Sequence, residues 1–284
     1  MDDSKILITG ANGQLGLALK AKYPNAKITD SKELDISDKD SVMTFDWSSI
    51  NTILNAAAYT NVDGAETSEG RVAAWKVNAL GPTNLAKIAR DRDIFLVHLS
   101  SDYVFDGTKS PHLESEDFSP LSVYGATKAA GDIMVSTLPR YCILRASWVV
   151  GEGKNFVRTM LDVGKKGVAP TVVHDQKGRL TFTSELVNAI DHLLKNNVAY
   201  GTYNVSNDGD PCSWADITRT IFSMAGFNLN VTNATTAEYY AGKGGVAPRP
   251  LNSTLDLSKL KATGFGSRNW HDDLKDYVKK ELGK

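Results

Sequence analysis

Cysteine is scarce. The two in 284 residues, Cys142 in "YCILRASW" and Cys212 in "DPCSW", have neither metal-type spacing nor a disulfide framework, and both are read as structural thiols. The five histidines form no H-x-x-x-H pair, so there is no zinc motif and no metal site is assigned. No apolar run approaches the length that crosses a bilayer, which removes a membrane partner. A net charge of -1, with pI near 6.5, lacks the basic field of a general nucleic-acid binder. The opening "MDDSKILITG" places acids before a short apolar run, unlike a secretory leader, and a cytoplasmic protein is expected. There is no internal repeat and no low-complexity tract.

What is present is a globular composition, 42% hydrophobic and 23% charged. Through the first half, strand-length apolar runs ("KILITG", "INTILNAAA", "IFLVHLSSDYVF", "YCILRASWVVG") alternate with helical patterns. Such alternation predicts an α/β fold, a doubly wound parallel sheet of Rossmann type, over residues 1–150. After Gly151 the texture turns loop-rich ("GEGKN", "DQKGR", "GKGGVAPRP"). Residues 151–284 are therefore expected to form a smaller substrate lobe, with a return to the first domain at about 181–206 through "TSELVNAIDHLLKNN" and "GTYNVSN".

"ILITGANGQLG" sets Gly10, Gly13 and Gly16 between a strand and a helix that begins near Gln14. The spacing is G-x-x-G-x-x-G, a variant of the dinucleotide turn. The glycines allow close backbone approach, and the helix start offers free N–H groups to a pyrophosphate. Asp30 ends the second strand about twenty residues on, where an acid bonds a ribose 2′-hydroxyl and favours NAD; Lys32 beside it suits a 2′-phosphate, so NADH and NADPH both stay open. "LNAAAYTNVDGAE" and "HLSSDYVFDG" leave two further strands toward the same crevice. Tyr124 and Lys128 share one helix face in "SVYGATKAAGD". Two other Tyr residues, Tyr23 and Tyr239, also precede a lysine by four, but neither follows such a strand. A cation one turn away is expected to lower the Tyr124 pKa toward a working acid-base range, with the Ser101 hydroxyl holding the substrate oxygen.

With these stretches together the chain resembles an extended short-chain dehydrogenase/reductase, and within that superfamily the dTDP-4-dehydrorhamnose reductases. "GANGQLG", "LDIS", "NAAAYTNVDGAE", "SSDYVFDG", "VYGATKAAGD", "RASWVVGEGKNFVRTML", "DQKGRLT" and "APRPLNSTLD" carry the likeness through nearly the whole chain. The resemblance implies reduction of the 4-keto group of dTDP-6-deoxy-L-lyxo-4-hexulose by NADPH or NADH. Tyr124 would be the proton donor, Lys128 would hold the nicotinamide ribose, and Ser101 would orient the keto oxygen. Gly10, Asn12, Gly13, Gln14 and Leu15 would line the pyrophosphate, Asp30 the adenosine ribose, and Asp35 with Ile36 the adenine. Ala57, Ala58, Tyr59 and Thr60 would border the nicotinamide. Asp102, Tyr103 and Trp148 would meet the hexulose, and Asn155, Arg179 and Arg249 the nucleotide part. The implied partners are the dTDP-sugar itself and a functionally coupled 3,5-epimerase, with the enzyme a monomer or homodimer.

The sequence departs from that family in places. Ser101 stands where Thr is frequent, Val150 where an aromatic is frequent, and Leu17 and Ala18 follow Gly16 where some members place a magnesium-binding acid. In "PCSWADI" the spacing of Ser213 and Asp216 predicts a helix capping box, with Trp214 packing the lobe. A related sugar-nucleotide epimerase or dehydratase, or a non-catalytic cofactor-binding regulatory subunit, are the competing readings.

Overall fold

A computed structural model describes residues 2–196 and 198–283. Six strands form one parallel sheet: β1 (Ile6–Thr9), β2 (Lys27–Thr29), β3 (Thr52–Asn55), β4 (Phe95–Ser101), β5 (Tyr141–Ala146) and β6 (Gly201–Val205). Their order, β6-β5-β4-β3-β1-β2, is that of a doubly wound sheet. The chain turns from one side of β1 to the other between β2 and β3. A crevice opens at such a switch point, beyond the carboxyl ends of the strands.

The strands read as near-continuous apolar runs because helices cover both faces. On one face α1 (Gln14–Lys22) and α6 (Thr183–Lys195) bury Leu15, Leu19, Leu186 and Ile190 against Ile6, Ile8 and Leu144. On the other, α3 (Gly81–Asp91) buries Leu85, Ala86 and Ala89 against Leu7, Ile53 and Leu96. The intervening α2 (Ser68–Trp75) runs into α3 through a π-helical segment, Lys76–Leu80. α4 (Val123–Val135) packs beside that segment so tightly that a Cβ at Gly131 would lie 2.4 Å from the Asn78 carbonyl oxygen.

The lobe has its own core, built on α5 (Phe156–Lys165), α7 (Trp214–Ala225) and α8 (Trp270–Glu281) around Val157, Leu161, Ile217, Ile221, Phe222 and Leu274. The capping box at Ser213 and Asp216 is present: Asp216 N–H donates to Ser213 Oγ at 3.1 Å and Ser213 N–H to Asp216 Oδ2 at 3.0 Å. Between these lobe elements the chain gives α6 and β6 to the first domain, β6 pairing with β5 from Gly201 to Val205. No helix among the described residues is long and apolar enough to cross a membrane.

Leu85 is fully buried between α3 and the sheet. Leu85→Ala is expected to cost about 2–5 kcal/mol, read as a lower urea midpoint at unchanged m-value.

Candidate active site

The glycine turn, the exit of β3 and the Ser101 turn sit at the carboxyl ends of β1, β3 and β4. The turn after β1 carries Gly10 at φ +68°, a conformation glycine adopts freely, and a Cβ there would lie 2.6 Å from the Ala57 backbone. A Cβ on Gly16 would lie 2.2 Å from the Gly10 carbonyl oxygen, so α1 also needs glycine to reach the turn. The result is a cleft of about 440 Å³ lined by Gly10, Asn12, Gly13, Asp30, Lys32, Asp35, Ile36, Ala57, Ala58 and Tyr59 among others. At its far corner the Asp30 carboxylate accepts from Asn12 Nδ2 and from the Lys32 N–H, each at 2.8 Å, while Glu33 accepts from the Asp30 N–H at 2.8 Å. Those bonds, the Lys32 N–H first, hold Asp30 below the usual carboxylate range. A bare glycine cradle, the start of α1 and a fixed acid fit a dinucleotide from pyrophosphate to ribose.

The catalytic triad expected from the sequence gathers at the other end. β4 ends in Ser101, whose Oγ accepts from the Tyr103 N–H and donates to Asp102 Oδ1, both at 3.1 Å. α4 begins one residue before Tyr124, capped by Ser122 Oγ, which accepts from the Gly125 N–H at 3.1 Å. Gly125 has to be glycine because a Cβ there would lie 2.2 Å from the Tyr103 carbonyl oxygen. The Tyr103 and Tyr124 rings meet edge to face at 5.5 Å, and the Ser101 hydroxyl lies near enough to the Tyr124 phenol to pull its pKa down. Lys128, 2% exposed, donates from Nζ to the Leu99 carbonyl at 2.6 Å.

The acid-base balance differs from the expectation. Burial pushes the Tyr124 phenol up to about 12, and the nearby Ser101 hydroxyl offsets only part of that rise. Burial also lowers Lys128 to about 8, against the opposing pull of Asp132. Desolvation dominates at both groups, and the Lys128 charge is not among the influences that move Tyr124, so the phenol keeps its proton. Asp102, 2% exposed, is raised by burial to about 6, although hydroxyls of Ser253 and Ser101 pull the other way.

Beside the triad lies a pocket of about 280 Å³ in the lobe, walled by Tyr103, Phe156, Gln176, Trp214, Tyr240 and Arg249 among others. Trp148, at φ +48°, stacks on Trp214 with ring centroids 3.7 Å apart. Trp214 therefore packs the lobe, as expected, and also faces the pocket. A larger groove of about 550 Å³, lined by Arg219, His271 and Lys275, contains no residue of the triad.

Several expected residues are placed differently. Asn155 caps α5, accepting from the Arg158 N–H at 3.0 Å and donating to the Gly151 carbonyl and the Tyr277 hydroxyl at 2.8 Å each, so its amide is committed to the lobe. Arg179 is 8% exposed, donates to the Leu255 carbonyl and lies 3.8 Å from Asp208; it joins buried segments and does not line the pocket. The Leu15 side chain is core on the sheet face and does not line the cleft. Gln14 Oε1 accepts from the Gly151 N–H at 2.8 Å, tying the glycine turn to the lobe. Thr60 is exposed just past the cleft-lining Tyr59.

Asn78 escaped the sequence reading. Its Oδ1 accepts from the Tyr59 N–H at 2.8 Å, and its Nδ2 donates to the Tyr59 carbonyl and to Thr127 Oγ1 at 3.1 Å each. One buried amide thus fastens the cofactor-side loop to the Tyr124 helix. A polar residue inside a helical pattern was the only signal, and its meaning depends on the π segment that carries it.

A glycine cradle before a ribose-binding acid, opening on a Ser–Tyr–Lys constellation, defines a nicotinamide-dependent oxidoreductase of the short-chain dehydrogenase/reductase type. Residues 4–282 match the RmlD substrate binding domain family, and the chain belongs to it. It is 40% identical to the dTDP-4-dehydrorhamnose reductase of Aggregatibacter actinomycetemcomitans over 96% of this chain and 98% of that one. A dTDP-4-dehydrorhamnose reductase crystal structure from Clostridium acetobutylicum superposes with TM-score 0.89 at 38% identity, covering 98% of this chain and 99% of that one. The Bacillus anthracis enzyme of that name, solved in complex with NADP, gives TM-score 0.88 at 35% identity, with 97% and 98% covered.

Asp102 offers a pH test. Its folded-state pKa of about 6 lies above the ordinary aspartate range, so the folded chain holds the proton more tightly, and stability from this group is lost as pH rises through about 6. Relative to wild type, Asp102→Asn is expected to gain stability between pH 4 and pH 7. Urea midpoints that run parallel over that range would contradict the buried acid.

Proposed function

We propose that the protein reduces the 4-keto group of dTDP-4-dehydro-L-rhamnose (dTDP-6-deoxy-L-lyxo-4-hexulose) to dTDP-L-rhamnose. The observation that carries this reading is the placement of Tyr103, edge-on to the buried Tyr124 and next to Ser101 and Asp102, as a wall of the lobe pocket. A sugar whose nucleotide fills that pocket has its ring beside Tyr103, within reach of the Ser101 and Tyr124 hydroxyls.

The bound nicotinamide supplies the hydride. The chain supplies the proton and the alignment. Tyr124, kept protonated by burial, gives its phenolic proton to the developing alkoxide, and Ser101 Oγ orients the keto oxygen for that transfer. Lys128, behind the phenol and released from the Leu99 carbonyl, favours the phenolate left on Tyr124. The aromatic walls Phe156, Trp214 and Tyr240 suit a nucleotide base, and the Arg249 guanidinium suits a diphosphate.

Asp30, held by the Lys32 N–H, suits the ribose 2′-hydroxyl of NADH, while the nearby Lys32 charge suits the 2′-phosphate of NADPH, so the reading takes either cofactor. The substrate chemistry calls for a 3,5-epimerase upstream, and both sites are complete within one chain, which suits a monomer or a homodimer. Two free thiols, Cys142 buried and Cys212 partly so, accord with the reducing cytoplasm.

The test is NADH and NADPH oxidation with dTDP-4-keto-6-deoxyglucose, with and without a 3,5-epimerase. Oxidation of NADPH or NADH only with the epimerase, yielding dTDP-rhamnose, is the expected outcome. Bound cofactor without consumption would turn the reading to a cofactor-retaining epimerase or dehydratase, or to a regulatory subunit. Tyr124→Phe is expected to bind NADH normally and to lose turnover by about 10²–10⁴-fold; full activity in that variant would remove Tyr124 from the chemistry.

A further inference from the structure

Asp63 lies on the loop that follows β3, in the dinucleotide half, and Arg249 on the last long loop of the lobe. Arg249 Nη2 donates to Asp63 Oδ1 and Oδ2 at 2.8 and 2.9 Å, and the Ala247 N–H donates to the same Oδ1 at 3.0 Å. Arg249 Nη1 turns back to the Ala247 carbonyl at 2.8 Å, and its guanidinium lies 4.9 Å from the Tyr240 ring centroid. The chain leading there has little packing of its own. Gly242 and Gly245 take φ of +73° and +71°, and a Cβ on Gly242, Gly244 or Gly245 would meet nothing within 4 Å.

A carboxylate beside a guanidinium could compete with an anionic ligand. The placement argues otherwise. The Asp63 side chain is 47% exposed and that of Arg249 14%, so the acid sits on the water side, where its pull is screened, while the cation lines the pocket. We propose that Asp63 is a positioning residue for the sugar-nucleotide site: it ties the 247–249 segment to the cofactor half and presets the Arg249 guanidinium to meet the diphosphate. The inference rests on the sugar-nucleotide reading above. Its physical basis is that a long arginine fixed in advance loses less rotamer freedom when the anion binds.

Asp63→Asn tests it, with dTDP and NADH binding followed by calorimetry and the reductase reaction by steady-state kinetics. The expected result is about tenfold weaker dTDP binding, as for loss of one charge-assisted contact. The KM for the sugar nucleotide should rise in step while kcat changes far less, and NADH affinity should hold. Asp63→Glu should recover part of the loss. Unchanged dTDP affinity in Asp63→Asn would overturn the inference and leave the reductase reading intact, and tighter binding would replace positioning by competition. Failure of the wild-type protein to bind dTDP would overturn both.

Discussion

The burial of one ammonium governs this structure. Lys128 is 2% exposed, with its Nζ on the Leu99 carbonyl, so α4 has to lie flat against β4 wherever else the helix might pack. That contact sets the height of Tyr124, one turn earlier, beside the end of β4. The surroundings are polar at a depth where polar groups are costly. Asp132, 1% exposed, takes the Arg145 Nε–H at 3.1 Å, and burial holds its carboxyl above the usual range. Asn55 Nδ2 lies 2.9 Å from Nδ1 of the buried His98. A core built only for stability would use apolar side chains here. Keeping these groups makes sense if the charge behind Tyr124 is needed for work.

The glycines serve the same end from the opposite side. Gly10, Gly16, Gly125 and Gly131 each stand where a Cβ would collide with backbone, at 2.2 to 2.6 Å. They bring four segments to within van der Waals distance: the turn after β1, the exit of β3, the turn after β4 and α4. Asn78 then stitches the exit of β3 to α4 through one amide. Cofactor cleft and acid-base groups are thereby packed together, and the lobe is tied to them by Gln14 to Gly151, by Asp63 to Arg249, and by the 252–256 segment that bonds His112 and packs Leu255 on Val104 and Phe105.

Much of this was legible in the chain. The strand runs, the glycine turn, Asp30, and the Tyr124–Lys128 pair after a Ser-Ser-Asp strand end are local patterns, and local patterns survive in sequence because backbone geometry imposes them. The capping box at Ser213 was legible for the same reason. Asn155 and Arg179 were not. Both residue types serve anion binding and helix capping or buried ion pairing alike, and only the positions of Tyr277, Leu255 and Asp208 decide which use is made of them. Trp214 was read as packing alone because its second role appears only when Gln176 and Tyr240 come round to form the other walls.

The sequence by itself determined the doubly wound half, and it carries the glycine turn and the shared helix face of Tyr124 and Lys128, since each follows from spacing along one or two neighbouring elements. Only the tertiary structure decided how deeply Tyr124 and Lys128 are buried, the pairing of Asp63 with Arg249 across 186 residues and the shape of the lobe pocket. Those depend on how deeply groups are desolvated and which distant segments meet, and neither burial nor long-range contact is written in local spacing.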